Sequence, residues 1–406
     1  MKHELIDAFR EAGILPKNYN YALERSIKNT MNFFKFYPIG QGLFYTGQLA
    51  NGGYNFVYDC GSEERMTYIE DSIESFKNSI KSQRNDANKI DCVFISHLHK
   101  DHFSGLPSLI QKFKIEKLYL PYIGLDKNFI QLVLAYEIFC EKEDREFEIF
   151  DNSRWLFKIL SSLYIERRWD TISEIVFTES RNSKSENGNT YSYDSFSINI
   201  DKTEYWKFAW FNKRIDDEKL KELEDNVNSK MIKMNITGIE DLINKNAFDQ
   251  IKEIYIDIFG NNLNVTSTVL LHFPCFNPTI LRLNFREKNG NRTYLPDLYR
   301  KHYQNNTAYT MLTGDAEFDD YMKNQINKYF DFNSSSISIL QVPHHGSKTN
   351  WKDLKKINVK TDVYVISYGL GNTYHHPGKT VVNDIIDSEK KLISVNQTSY
   401  AEYYIH

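Results

Sequence analysis

The 406-residue chain contains no long apolar run. Its most apolar stretches, such as Tyr364 to Ser367 with its neighbours, fall far short of the ~18 residues that a membrane helix needs, so no integral membrane protein is expected. Secretion is not expected either. The opening M-K-H-E-L-I-D-A-F-R-E-A-G carries acids where a signal peptide would be apolar, and a cytoplasmic location is expected. Nor is there an excess of one charge: 50 Lys and Arg against 54 Asp and Glu leave a formal charge of −4. That balance excludes generic nucleic-acid binding by counterion release, though not a local basic groove. Cysteine is scarce. Cys60, Cys92, Cys140 and Cys275 stand far apart with no C-x-x-C pair, so neither a disulfide framework nor a thiolate zinc site is indicated. Buried free thiols are expected instead. There is no internal repeat and no low-complexity tract.

Aromatic residues are plentiful. The 27 Tyr and 27 Phe are too many for a disordered chain and enough for a sizeable core. Apolar spacing predicts one or two amphipathic helices over 3–29, then a β-β-β-α-β opening: three short strands from Phe33, a helix over 63–82 and a buried strand from Asp91 to Ser96. A strand follows over 115–122, then a strongly helical stretch over 127–168. Asn182 to Ser192 reads as a polar surface loop. Strands at 196–200 and 206–211 precede helices over 216–232 and near 239–251. Strand signals return at 267–273, 279–285 and 308–312. The remainder alternates helix and strand and closes on a final strand pair. The domain reading is an N-terminal helical segment (1–30), a first half (31–122), a mostly helical insertion or cap (123–258) and a second half (259–406).

Seven of the eleven histidines fall into three tight groups. Residues 94–107 read F-I-S-H-L-H-K-D-H-F-S-G-L-P, which places His97, His99, Asp101 and His102 just past the end of an apolar strand. Open α/β layers present ligand-binding loops at that edge. Imidazole and carboxylate at this spacing suit a borderline cation such as Zn²⁺, or Mn²⁺ or Fe.

The segment resembles the H-x-H-x-D-H signature of the metallo-β-lactamase superfamily. The resemblance extends to Asp59 in Y-D-C-G, to Thr313-Gly314-Asp315, and to Pro343-His344-His345-Gly346-Ser347. The last block, with V-I-S-Y-G-L-G-N-T-Y-H-H-P, is similar to the branch of ComEC-type competence proteins and to phosphorylcholine esterases. The resemblance spans residues 33–122 and 260–400 of the chain. The resemblance implies an α/β fold, an αββα sandwich here interrupted by a helical insertion. It also implies two divalent metal ions, Zn or Mn. His97 and His99 would hold one ion. Asp101, His102 and one of His344 and His345, with His345 favoured, would hold the other, and Asp315 would bridge them. Asp59 would brace the metal loop from behind. The extra histidine that often completes the first site has no clear counterpart: His272 lies mid-strand and reads as a core residue, and His302 is the other intervening histidine.

Beyond the ligands, Ser347 and Lys348 follow the histidine pair, and Lys348 is a candidate for contacting a substrate oxyanion, with a solvated lysine as the competing reading. His376, before Pro377, is expected beside the metals as a general acid of near-neutral pKa, in preference to a late metal ligand. His375 is expected to be exposed. The resulting function is a metal-dependent phosphodiesterase or nuclease that activates water. Its substrate would be a nucleic acid or a nucleotide-type phosphodiester. The alternatives are a small-molecule phosphoesterase and a partner-regulated defence or toxin-like effector that binds a protein through the helical insertion.

Overall fold

In the computed structural model, the described residues are 30–81, 88–97, 99–121, 172–178, 183–184, 190–191, 195–213, 217–236, 250, 253–254, 257–258, 267–278, 280–287, 299–303 and 307–406. The helices expected over 3–29 and 127–168 lie outside them, as does Cys140.

The chain opens with an antiparallel meander of β1 (Asn32–Phe36), β2 (Gly42–Leu49) and β3 (Tyr54–Ser62). Helix α1 (Met66–Lys81) then returns the chain to β4 (Lys89–Phe94), parallel to β3. Two short helices, α2 (Lys100–Phe103) and α3 (Leu106–Lys112), lead to β5 (Lys114–Pro121). Next come β6 (Ile172–Thr178), a small hairpin of β7 (Ser183–Lys184) and β8 (Thr190–Tyr191), then β9 (Ser195–Ile200), β10 (Thr203–Phe211) and α4 (Asp217–Lys233). The rest comprises β11 (Val269–Pro274), β12 (Ile280–Glu287), β13 (Tyr299–His302), β14 (Tyr309–Leu312), α5 (Asp320–Ile326), β15 (Ile337–Gln341), α6 (Lys348–Lys356), β16 (Thr361–Ser367), α7 (Lys379–Asp387), β17 (Lys391–Val395) and β18 (Ser399–Ile405).

These strands form two large sheets. The nine-stranded sheet runs β13-β12-β18-β1-β2-β3-β4-β5-β6, and the seven-stranded sheet runs β17-β16-β15-β14-β11-β10-β9. Alternation along each strand decides what fills the space between them. In β3, Phe56 and Tyr58 face the inter-sheet core, while Val57 and Cys60 face the outer helices. In β16, Val363 and Val365 point inward and Ile366 outward. Strands covered on both faces read as near-continuous apolar runs, and β2 is buried at every position. On the first sheet, α1 contributes Ile69, Ile73, Phe76 and Ile80 at helical spacing, each worth roughly 1.5–3 kcal/mol when fully buried. On the second sheet, Met322, Ile326, Trp351, Leu354, Val381 and Ile385 of α5 to α7 do the same. The result is the expected four-layer αββα sandwich.

Much of the insertion expected over 123–258 lies outside the described residues; within the rest, the strands expected at 196–200 and 206–211 are β9 and β10 of the second sheet, and β6 extends the first. The cause is period-two alternation, which sends Phe196, Trp206, Phe208 and Trp210 into the inter-sheet core. The final two strands are not a pair, because β17 belongs to the second sheet and β18 crosses to the first, where it joins β1 and β12. Cys60 and Cys92 are buried thiols, but Cys275 is exposed just beyond β11.

Candidate metal centre

Strands β14, β15 and β16 run parallel, as do β3 and β4, so the loops after β4, β14, β15 and β16 gather at one edge of the sandwich. Each loop is braced by residues behind it. Asp59, buried near the end of β3 with φ +56°, accepts from the Ser96 amide at 2.6 Å and the Ser96 hydroxyl at 2.7 Å. His102 Nδ1 donates to the same carboxylate at 2.7 Å. Asp59 thereby fixes the start and the end of the H-L-H-K-D-H loop. The single-turn helix α2 carries Asp101 and His102 against Gly61, where a Cβ would lie 2.2 Å from the Phe103 amide nitrogen. Only glycine allows that approach.

On the second sheet, the Gln341 side chain holds the T-G-D turn. Its Oε1 accepts from the amides of Thr313 at 2.7 Å and Gly314 at 2.9 Å. Gly314 adopts φ +50°, and a Cβ there would lie 2.6 Å from Ser96 Oγ, so the two loops meet at this glycine. Ser267 Oγ accepts from the Asp315 amide at 3.1 Å. His345 donates from Nδ1 to the Ser367 carbonyl at 2.7 Å, which anchors the third loop to the end of β16. Ser96, Ser267, Gln341 and Asn350 complete this framework. Sequence reasoning missed all four, since nothing in their local pattern marks them.

The candidate ligands converge on Asp315. His97 Nε2 lies 3.5 Å and His344 Nε2 3.6 Å from Oδ2, while His102 Nε2 lies 3.1 Å and His345 Nε2 3.9 Å from Oδ1. Asp101 Oδ2 is 2.9 Å from His345 Nε2 and 3.8 Å from His102 Nε2. His99 Nδ1 is 3.1 Å from His97 Nε2. Among the described residues, three overlapping groups have donor atoms within 4.8 Å of one another: His97, His99 and Asp315; His102, Asp315 and His345; and His97, Asp101 and His102.

The electrostatics are those of a site built for cations. Burial disfavours charge on Asp315, yet His102, His97 and His344 hold its carboxyl well below the usual range. Burial opposes protonation of His102, but Asp315, Asp101 and Asp59 outweigh it and raise the pKa well above that of a free imidazole. For His345 too, Asp101 and Asp315 overcome burial and raise the pKa. Burial and His102 lower His97. Two buried atoms, His102 Nε2 and Asp315 Oδ1, face one another without a hydrogen bond. Such orphans are costly in a protein interior. A divalent ion on imidazole and carboxylate donors resolves them, so the residues fit the metal pair that the sequence implies.

The other candidates fall outside this cluster. His376 lines its rim, with its ring centroid 5.4 Å from that of His344. Asn372 grips its backbone, accepting from the His376 amide at 3.0 Å and donating to its carbonyl at 2.6 Å. The expected near-neutral imidazole is not found: burial, then His344 and His345, push its pKa down to about 4. Ser347 is buried and immediately precedes α6. Lys348 is exposed, and its stem lies along Gly378. His375 is exposed. His272 takes no part in the site. It is fully buried between the sheets, 2.9 Å from the Tyr45 hydroxyl and packed against Phe34, Phe56, Trp206 and Phe208. His302 is exposed on the outermost strand of the first sheet.

Residues 46–154, which include the H-L-H-K-D-H loop, match the family model of the metallo-beta-lactamase superfamily. Among solved structures the chain is similar to an archaeal metallo-beta-lactamase superfamily protein from Sulfolobus tokodaii. The identity is 10%, the TM-score is 0.27, and the match covers 87% of this chain and 85% of that one. No curated protein matches the chain.

Proposed function

We propose that this chain, which carries a metallo-beta-lactamase superfamily domain, is a dinuclear metal-dependent hydrolase that cleaves phosphodiesters. The observation that carries this reading is the convergence of four imidazoles on the two oxygens of Asp315, with His102 Nε2 and Asp315 Oδ1 buried and unbonded. Two divalent ions held there, Zn²⁺ or Mn²⁺, would activate water and stabilise charge developing on a phosphoryl group. The protein's own part is to hold the donors rigid. Asp59 fixes Ser96 and His102, and the Ser367 carbonyl orients His345. With its pKa near 4, His376 is neutral at pH 7, roughly one ring in a thousand being protonated. Its role is to donate an N–H hydrogen bond to a substrate oxygen at the rim. Support for a phosphodiester, rather than a β-lactam or thioester, comes from the T-G-D and P-H-H-G-S blocks and their similarity to the ComEC-type branch. The net charge of −4 offers no general attraction for a long nucleic acid and so favours a short or nucleotide-type phosphodiester.

The test is a substrate panel with Mn²⁺ or Zn²⁺: bis(p-nitrophenyl) phosphate, single-stranded DNA, a cyclic nucleotide, a thioester and a cephalosporin. Phosphodiester turnover, lost in Asp101→Ala and Asp315→Ala, is the expected result. Turnover of the thioester or cephalosporin alone would overturn the substrate class. Inertness of the fully metal-loaded chain on every substrate would replace constitutive hydrolysis with partner control.

A further inference from the structure

His344 and His345 are consecutive, and both adopt left-handed backbone, with φ +49° and +51°. Residues other than glycine rarely do so, and two in succession mark a site where surrounding structure dictates the conformation. The consequence is geometric. The two rings splay to a centroid separation of 6.3 Å and an interplanar angle of 80°. Each ring reaches a different oxygen of Asp315: His345 lies on the Oδ1 side with His102 and Asp101, and His344 on the Oδ2 side with His97.

The ring orientations are set from behind. His345 Nδ1 donates to the Ser367 carbonyl at 2.7 Å. His344 Nδ1 lies 3.1 Å from Asn350 Oδ1. Which end of the Asn350 amide is oxygen follows from its other contacts, because the Nδ2 group donates to the carbonyls of Asp315 at 2.9 Å and Ala316 at 3.1 Å. The oxygen must therefore face His344, so Nδ1 carries a proton and Nε2 is the nitrogen turned towards Asp315 Oδ2, 3.6 Å away and too far for a direct hydrogen bond. In the neutral ring this arrangement directs the Nε2 lone pair at a cation lying between the two.

We infer that Asn350 is the positioning residue that makes His344 a ligand of the first metal, completing the set of His97, His99 and Asp315. The inference rests on the dinuclear reading and deepens it: the histidine pair is divided between the two metals. Neither His272, enclosed by aromatic rings, nor His302, on the far edge strand, offers a fourth donor. Buried and hydrogen-bonded to both carbonyls after the T-G-D turn, Asn350 ties α6 to that turn and sets the ring at once. Partners of this kind fix the tautomer of a metal-binding histidine, and their loss typically costs about 10–100-fold in metal affinity.

The experiment measures Zn²⁺ stoichiometry and affinity by chelator competition, with Co²⁺ absorption spectra as a second readout, on the full chain. The wild type should bind two equivalents. His344→Asn, chosen because asparagine tolerates left-handed backbone but is too short to reach Asp315, should keep one site and weaken the other at least 10-fold. Asn350→Leu should weaken that same site about 10–100-fold, and Asn350→Asp, which retains an oxygen acceptor for His344, should recover most of the loss. His345→Asn should weaken the other site. Two sites of wild-type affinity in His344→Asn, or unchanged affinity in a folded Asn350→Leu, would overturn the inference while leaving the dinuclear reading intact. A wild type that binds fewer than two ions would overturn the dinuclear reading itself. If Asn350→Leu misfolds by circular dichroism, His344→Asn and Asn350→Asp still decide the matter.

Discussion

His272 provides a quantitative check on the distinction between a metal ligand and a core histidine. The Trp206 indole N–H donates to its Nδ1 at 3.3 Å, so Nε2 carries the proton and donates to the Tyr45 hydroxyl at 2.9 Å. Tyr45 passes the chain of bonds to Tyr403 at 2.6 Å, and Tyr403 meets Thr310 at 2.8 Å. Both ring nitrogens are thus committed to a neutral imidazole, and burial pushes the pKa down to about 3. The sign follows from linkage: the unfolded chain binds a proton below pH 6.5 that the folded chain refuses until about pH 3. The stability contributed by the neutral ring is complete above pH 6.5 and declines as pH falls from 6.5 towards 3. Each unit is worth about 1.4 kcal/mol, so roughly 2 kcal/mol is lost by pH 5. In His272→Phe the ring volume is kept and this sensitivity disappears. The variant leaves the Trp206 N–H without its acceptor and should be about 1–3 kcal/mol less stable than wild type at pH 7.5. Urea unfolding of metal-free protein in chelator, from pH 7.5 to 5.0, should show that gap closing by roughly 2 kcal/mol. A constant gap would refute the neutral-core reading, and loss of a metal equivalent in the variant would make His272 a ligand after all.

Gly61→Ala should force the α2 backbone outward, because its Cβ would lie 2.2 Å from the Phe103 nitrogen. A stability loss of about 1–3 kcal/mol with weakened metal binding is expected, checked by thermal melts and Zn²⁺ titration. Metal loading at pH 7 should release protons, since His102 and His345 are both raised above the ordinary imidazole value and must lose a proton to bind. Calorimetry in buffers of different ionisation enthalpy measures this, and a buffer-independent heat would contradict it. His376→Ala should keep its metals and lose turnover equally on bis(p-nitrophenyl) phosphate and on a dinucleotide with a poor leaving group. A neutral N–H donor stabilises the phosphoryl oxygens whatever leaves, whereas a loss confined to the poor leaving group would restore the general-acid role.

The parts of the centre legible in sequence are those where chemistry and strand ends coincide. An apolar run that breaks into H-L-H-K-D-H, a T-G-D turn after a buried strand and a paired histidine each announce themselves locally. What stays hidden depends on contacts remote in sequence. His344 and His345 are chemically identical neighbours, and what separates them is Asn350, six residues on, and the Ser367 carbonyl, 22 residues on. The basicity of His376 was misjudged because its burial beside two other imidazoles is a tertiary fact. The strands of 172–211 alternate visibly, but their membership of the main sheets follows from which aromatic faces they meet: Phe196 and Phe208 both stack near Phe94. Likewise, nothing local separates β17 from β18, since each is a short apolar strand and only the completed sheets assign them to opposite layers.

The division of ligands between the sheets carries a further consequence. The first sheet supplies His97, His99, Asp101 and His102 from the end of β4, and the second supplies Asp315, His344 and His345 from the ends of β14 and β15. On the proposed assignment, neither half alone supplies the full donor set of either metal. Asp315 belongs to one sheet, while one imidazole on each of its oxygens belongs to the other. Metal binding and docking of the two sheets would then be one equilibrium. A cation present at a hundred times its dissociation constant would add roughly 2.7 kcal/mol to the folded state. Without it, Asp315 and Asp101 draw counter-charge from the protonated forms of His102 and His345, which they favour. Raising the pH of the metal-free chain through those elevated values should strip that substitute away, so the seam between the sheets should become weakest in alkaline chelator, where neither protons nor metal hold it.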